Sequence, residues 1–239
     1  MQDVRLVPYQ KKFNYSYSFG VYPTIELLEN RSKEVVKVLL HSRGKQNEGL
    51  RKIQVLCQKN GIRTEWADGL IKKITDSENT YAVGVFNKYT CQISAKDNQV
   101  VLVSPEDTGN LGTILRSALG FGVGSVVIIK PAVDIFDPKV VRASMGAIFK
   151  LQVRYFDDFG EYVKAQPLKK YLFMTDGKQK LETTEFEKPF ALVFGSESSG
   201  INDEYRSLGT TVTIEQSKEI DSLNLSVAVG IALHRSFTS

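Results

Sequence analysis

The 239-residue chain carries 31 Lys+Arg against 27 Asp+Glu, a net charge of +4, with 42% hydrophobic residues. That fits an ordinary globular protein of one large domain or two small ones, and no apolar run approaches the roughly 20 residues a membrane span needs. Two cysteines without metal-ligand spacing, Cys57 and Cys91, read as reduced thiols in a cytoplasmic protein, and two histidines, His41 and His234, leave no material for multi-histidine metal sites.

The first residues, "MQDVRLVPYQKKFNYSY", show no apolar core of the signal-peptide kind. Within "KKFNYSYSFGVY" (11–22), Phe13, Tyr15, Tyr17 and Phe19 alternate strictly beside Lys11 and Lys12. Aromatics among cations can stack on unpaired bases; a half-buried strand has the same alternation. "GVYPTIELLENR" (20–31) spaces Ile25, Leu27 and Leu28 as a helix does. "VVKVLLH" (35–41) reads as a strand, "EGLRKIQVLCQKNG" (48–61) as an amphipathic helix ending at Gly61, and "YAVGVF" (81–86) as a second strand. The polar "NKYTCQISAKDN" (87–98) reads as a linker or short hairpin, placing a domain boundary near residue 98. Residues 1–99 hold 16 Lys+Arg against 10 Asp+Glu, and the remainder 15 against 17. The asymmetry suits a first half that faces a polyanion, although a solvated basic surface would look the same.

From residue 100, short apolar runs alternate with helix-like spans. The runs are "VVLVS" (100–104), "SVVIIK" (125–130), "LQVRYF" (151–156), "YLFMT" (171–175), "FALVFG" (190–195) and "TVTIE" (211–215). Helical spans are expected from Asn110, over 138–149 and over 222–235. Continuous β-branched runs of this kind indicate a parallel sheet covered by helices on both faces. Ligands of such sheets bind at the carboxyl ends of the strands.

Three loops after strands hold the chemistry-bearing residues. In "EDTGNLGTILRSALGFG" (106–122), a helix starting near Asn110 would bury Leu111, Ile114, Leu115, Ala118 and Leu119, and turn Asn110, Thr113, Arg116 and Ser117 to another face. Asn110 is a good N-cap type, and amides at a helix start attract anions. A surface arginine on a capped helix would explain the stretch equally well. "FGSESSG" (194–200) sets two glycines around Glu197, either as a site loop or as the N-cap of a helix over "INDEYRSL". In "IEQSKEIDSLNLSVAVG" (214–230), Ser222 is the expected cap of a helix on which Leu223, Val227 and Ile231 lie four apart. No GxGxxG dinucleotide fingerprint is present.

In this order, these residues resemble the SpoU (TrmH-like) family of RNA ribose 2′-O-methyltransferases, in the SPOUT superfamily. The first family motif is similar to Asn110, Gly112 and Arg116, the second to Gly195, Glu197 and Gly200, and the third to "SLNLSVAVGIAL" from Ser222. "FDPKVVRASMGAIFKL" (136–151) resembles the segment between motifs. "SFGVYPTIELLE" and "SENTYAVGV" resemble the ribosomal-protein-like RNA-binding domain that precedes catalysis in many members. The resemblance implies an RNA-binding domain over 1–98 and a methyltransferase domain over 99–239 with a C-terminal trefoil knot. It also implies a homodimer, and methyl transfer from S-adenosylmethionine to a ribose 2′-hydroxyl, with ribosomal RNA favoured and transfer RNA the other candidate. By the same resemblance Arg116, Asn110, Glu197, Ser222 and Asn224 serve catalysis, and Gly195, Ile214, Gln216, Leu223 and Asn224 hold the cofactor; no metal is involved.

The chain departs from the family where Ile-Pro-Met and a later glycine are usual. Here stand Ile214-Glu215-Gln216 and Lys218, which change the rim of the cofactor loop. An RNA-binding module that has lost transfer is therefore the alternative reading. A small-molecule α/β enzyme is a third, for which the basic first half has no use.

Overall fold

The computed structural model of the chain describes residues 6–75, 77 and 79–238; Glu78, within the "SENTYAVGV" segment, and the first five residues lie outside it. In chain order the elements begin with β1 (Tyr15–Phe19), α1 (Val21–Asn30), β2 (Val35–Leu40), α2 (Glu48–Lys59), β3 (Thr64–Trp66), α3 (Asp68–Ile74) and β4 (Ala82–Asn87). There follow β5 (Gln99–Val103), α4 (Thr108–Gly120), β6 (Ser125–Ile129), α5 (Pro138–Ala143), β7 (Gln152–Phe156), α6 (Phe159–Ala165) and β8 (Lys169–Phe173). The last are β9 (Gln179–Lys180), β10 (Phe190–Phe194), β11 (Thr210–Thr213) and α7 (Leu225–Phe237). Two compact units result: Met1–Tyr89 with Asp134–Phe149, and Thr90–Val133 with Lys150–Ser239.

The first unit is built on a four-stranded sheet in the order β1-β4-β2-β3, antiparallel except between β2 and β3. The alternating aromatics of 13–19 prove to be sheet core. Tyr15 and Tyr17 are buried, and the rings of Phe13, Tyr15, Tyr17 and Phe19 contact one another in series at 5.0, 5.7 and 5.5 Å. Tyr15 and Tyr17 are thereby spent on packing, with Phe13 and Phe19 only partly exposed at its edge. Residues 88–98 form no strand, so the hairpin option for this segment is not realised.

The segment Asp134–Phe149 belongs to this unit for visible reasons. The Ser16 hydroxyl donates to the Phe136 carbonyl, Lys88 pairs with Asp134 at 2.7 Å, and Phe86 meets Phe136 and Phe149 edge-on. A Cβ on Gly146 would come within 2.6 Å of Glu26 Cβ, which requires glycine at this crossing. The helix expected over 138–149 breaks after Ala143. Met145 and Gly146 both adopt positive φ, and a single 3₁₀ turn follows over Ala147–Phe149.

The second unit holds a seven-stranded, wholly parallel sheet in the order β7-β6-β5-β10-β8-β11-β9. Successive residues of the middle strands (Val100 to Leu102, Val126 to Ile128, Ala191 to Val193) are all fully buried. Neighbours on a strand point to opposite faces, so both faces of the sheet are covered. This is why the strands read as unbroken apolar runs.

Candidate functional site

β5 is flanked by β6 on one side and β10 on the other. The chain leaves β5 toward β6 through α4, while β10 lies across the switch in strand order. Crevices between the carboxyl ends of such strands are where open parallel sheets bind ligands. Ser104, the residue after β5, takes a left-handed φ of 52°, which turns the chain sharply into the loop. Left-handed backbone costs a non-glycine residue about 1 kcal/mol, a strain that the surrounding bonds must hold.

Those bonds come from the loop after β10. Glu197 accepts hydrogen bonds from the backbone N–H of Glu106 (3.0 Å) and of Asp107 (3.4 Å), and from Asn110 Nδ2 (3.0 Å). Ser198 returns a bond by donating to Glu106 Oε1 at 2.7 Å. Asn110 Oδ1 in turn accepts from Asn224 Nδ2 at 3.1 Å. One chain of bonds thus ties the loops after β5 and β10 to the start of α7.

Two helix starts differ from the sequence reading. α4 is capped by Asp107, whose Oδ1 accepts from the Asn110 N–H at 2.7 Å, so Asn110 lies inside the first turn with its side chain released for Glu197 and Asn224. α7 is capped by Asn224, whose Oδ1 accepts from Ser226 N and Val227 N, while Ser222 lies in the loop before it. Asn224 therefore uses its carbonyl oxygen on the helix and its amide nitrogen on Asn110. The apolar row on α7 also faces differently. Val227 and Ile231 are outward, and Val229, Ala232 and Leu233 are the buried side. On α4, Leu119 is only half-buried while Leu111, Ile114, Leu115 and Ala118 are fully inside.

A cavity of about 630 Å³ opens at these loops, within the range of small-molecule sites. Gly195, Glu197, Ile214, Gln216, Ser222, Leu223 and Asn224 line it. Asn110 does not, but it bonds to two residues that do. Arg116 stands apart. It is exposed, makes no hydrogen bond or ion pair with the described residues, and lies about 9 Å along the α4 axis from Asn110 by helical rise. Glu215 pairs with Lys180 at 2.6 Å, and neither Glu215 nor Lys218 reaches the lining.

The lining is of two kinds. Phe173 and Phe194, stacked at 4.5 Å, line it together with Met174, Ile201 and Val212, giving apolar surface suited to a flat ring. It also carries Asp176, Glu197, Asp203 and Asp221 against a single cation, Arg206. Arg206 is already engaged, its Nη2 donating to both oxygens of Asp176 (2.7 and 2.6 Å) and its Nε to Asp203 (2.8 Å). Its hydrogen bonds hold the Asp176 carboxyl below the usual carboxylate range. An acidic lining of this kind fits a ligand with cationic and hydroxyl groups and repels a polyphosphate.

Sequence reasoning missed Glu106, Asp107 and the Arg206–Asp176 pair. The acidic start of "EDTGN" was a signal for the first two. Nothing in the sequence joins residues 176 and 206, thirty positions apart.

The sequence model of the SpoU rRNA Methylase family matches residues 97–234. A protein from Synechocystis sp. called an uncharacterized tRNA/rRNA methyltransferase is 34% identical over 139 residues, covering 56% of this chain and 51% of the relative. The 23S rRNA (adenosine(1067)-2′-O)-methyltransferase of Streptomyces laurentii is 27% identical over 191 residues, 75% of this chain and 71% of its own. This chain thus spans about half the length of the first relative and more of the second. The crystal structure of an AdoMet-bound rRNA methyltransferase from Sinorhizobium meliloti shares the fold with a TM-score of 0.81 at 24% identity, over 93% of this chain and 87% of that one. With the family's model matched across more than half of its residues, the chain belongs to the SpoU rRNA methylase family.

Proposed function

We propose that this chain transfers a methyl group from S-adenosylmethionine to a ribose 2′-hydroxyl of RNA, with ribosomal RNA as the favoured substrate. The observation that carries the reading is the bond chain Glu197–Asn110–Asn224 beside the cavity, in a chain of this family. The residues present fit the cofactor. The Phe173–Phe194 surface suits an adenine, and the acidic lining suits an ammonium and a sulfonium. Gly195, Ile214, Gln216, Leu223 and Asn224 would hold it. When bound, it supplies a methyl on a cationic sulfur, which becomes a neutral thioether as the ribose oxygen gains the methyl and gives up its proton.

This chain's own residues do the rest. Glu197 accepts from three N–H donors, and its part is to fix the 106–110 loop. Asn110 and Asn224 hold the loop against α7, and Ser222 lines the reaction space. Arg116 offers a planar guanidinium fork. It acts as a planar cation on an RNA phosphate, favouring the developing alkoxide electrostatically. The proton leaves to water or to that phosphate.

The basic first unit supplies RNA affinity. A homodimer belongs to the same proposal, supported by the outward Val227, Ile231 and Phe237 of α7, an apolar row suited to a second copy. So do the trefoil knot, supported by the position of β11 between β8 and β9, and a cytoplasmic location, supported by two buried free thiols. Isothermal titration with S-adenosylmethionine, followed by mapping of ribose methylation in RNA exposed to the protein, tests the whole. Binding with no methyl transfer to any RNA would favour the binding-only alternative.

A further inference from the structure

The chain's single tryptophan is Trp66, the last residue of β3, and it stands 45% exposed. β3 is the edge strand of the first unit's sheet, paired only with β2 through Leu40↔Trp66 and its neighbours. An indole left in water at a sheet edge forgoes a large apolar burial. Among the described residues a cation stands by the ring. Lys45 Nζ sits 5.6 Å from the ring centroid, within cation–π reach.

The turn that carries Lys45 is held firmly. Asp68 accepts from the Ser42 N–H at 2.8 Å and from the Ser42 hydroxyl, and buried His41 accepts from the Arg43 N–H at 3.2 Å. A Cβ on Gly44 would lie 2.7 Å from Leu50, so the turn presses directly on the core. Asn47 then caps α2 by accepting from Gly49 N at 2.8 Å. Trp66 and the exposed Arg43 and Lys45 are therefore presented from a rigid base, which lowers the ordering cost of binding. Residues 41–52 hold four Lys+Arg against one carboxylate, and residues 63–73 three against two.

We propose that Trp66 is a stacking platform for one unpaired RNA base, with Lys45 beside the ring taking a neighbouring phosphate. This rests on the reading of the first unit as the RNA-binding part and names where that unit grips a single strand. Stacking on an aromatic face is tolerant of base identity, and cations beside it follow the backbone. The lysine beside the ring and the basic balance of both segments favour a polyanion as the partner.

The lone tryptophan makes its own fluorescence the readout. A fluorescein-labelled 20-nucleotide oligo(A) strand and a 20-base-pair RNA duplex are titrated into the full chain, following label anisotropy and tryptophan emission together. Oligo(A) should quench the emission, saturating at the same concentration as the anisotropy, while the duplex leaves it unchanged. Trp66→Ala should weaken oligo(A) binding at least about fivefold and leave duplex binding as it was; Trp66→Phe should keep most of the affinity. Binding of oligo(A) by anisotropy with flat emission, and an unweakened alanine variant, would overturn the platform while sparing the RNA reading. Failure of both RNAs to bind would overturn both. Loss of a sedimenting dimer in Trp66→Ala at unchanged RNA affinity would make this surface a protein interface and overturn the proposal.

Discussion

At the scale of single residues, Arg116 and Asp176 are opposite cases. Arg116 is exposed and bonds to nothing described, so it contributes little to holding the fold. Arg116→Ala should change stability by no more than about 0.5 kcal/mol, yet lower methyl transfer at least about a hundredfold, as loss of one preorganised electrostatic contact does. Arg116→Lys should rescue poorly, because an ammonium loses the planar fork; a lysine variant as active as the parent would show that charge alone suffices. Asp176 is committed within the protein. Hydrogen bonds from Arg206 lower its folded pKa, so the pair's contribution is fully present above the unfolded value of about 3.9 and is lost as pH falls through the lower folded value. Carboxylate NMR should find the Asp176 midpoint below that of an ordinary aspartate, and Arg206→Ala should return it toward the usual range. An ordinary midpoint in the parent protein would remove the clamp from the cavity wall.

Elements that bury both faces were legible in the sequence, while those fixed by a single distant bond were not. β5, β6, β8, β10 and β11 announce themselves as apolar runs, to within two residues at either end, and the edge strand β7 is legible although only Val153 and Phe156 of it are buried. β9, a two-residue strand, and β3, a three-residue edge, have no periodicity to read. The start of α4 was misplaced because "DTGN" offers two good caps, and only the bond from Asn110 N to Asp107 selects the first. For the site, the residue types were visible, but their roles came from partners. Glu197 reads in sequence as part of a site loop or of a helix cap, and in space it is the acceptor for three N–H donors of the 106–110 loop. Gly195 is a similar case. Sequence reasoning gives it room for a ligand, whereas a Cβ there would sit 1.9 Å from the carbonyl carbon of Gly200, inside the loop itself. Gly195→Ala should therefore destabilise by about 3 kcal/mol, the upper range of overpacking, and lose cofactor binding through the loop. Gly200→Ala, with open space but φ 67°, should cost only about 1 kcal/mol of strain. Equal melting temperatures for the two variants would refute this account of the turn.

For the whole molecule, the path of the chain decides which truncations are informative. Removing residues 1–98 would also strip the partners of Asp134–Phe149, leaving Phe136 and Phe149 without Phe86. Loss of activity in such a fragment would say little about RNA. Subunit mixing avoids the difficulty, because every chain remains complete. We propose that in the homodimer Arg116 of one subunit serves the cavity of the other, since it does not line its own. Two separately inactive variants are then needed, one lacking the cation and one lacking the cofactor site. Ile214→Asp suits the second purpose, since it puts a carboxylate on the apolar lining without touching the Glu197–Asn110–Asn224 bonds. Mixed, unfolded together and refolded, Arg116→Ala and Ile214→Asp should form heterodimers in which one of the two cavities has both an intact wall and an intact partner arginine. With random pairing half of the dimers are mixed, so about a quarter of the parent methyl transfer should return, on the order expected for closed two-fold assembly. No recovery, with heterodimers confirmed by mass, would place Arg116 at its own subunit's cavity.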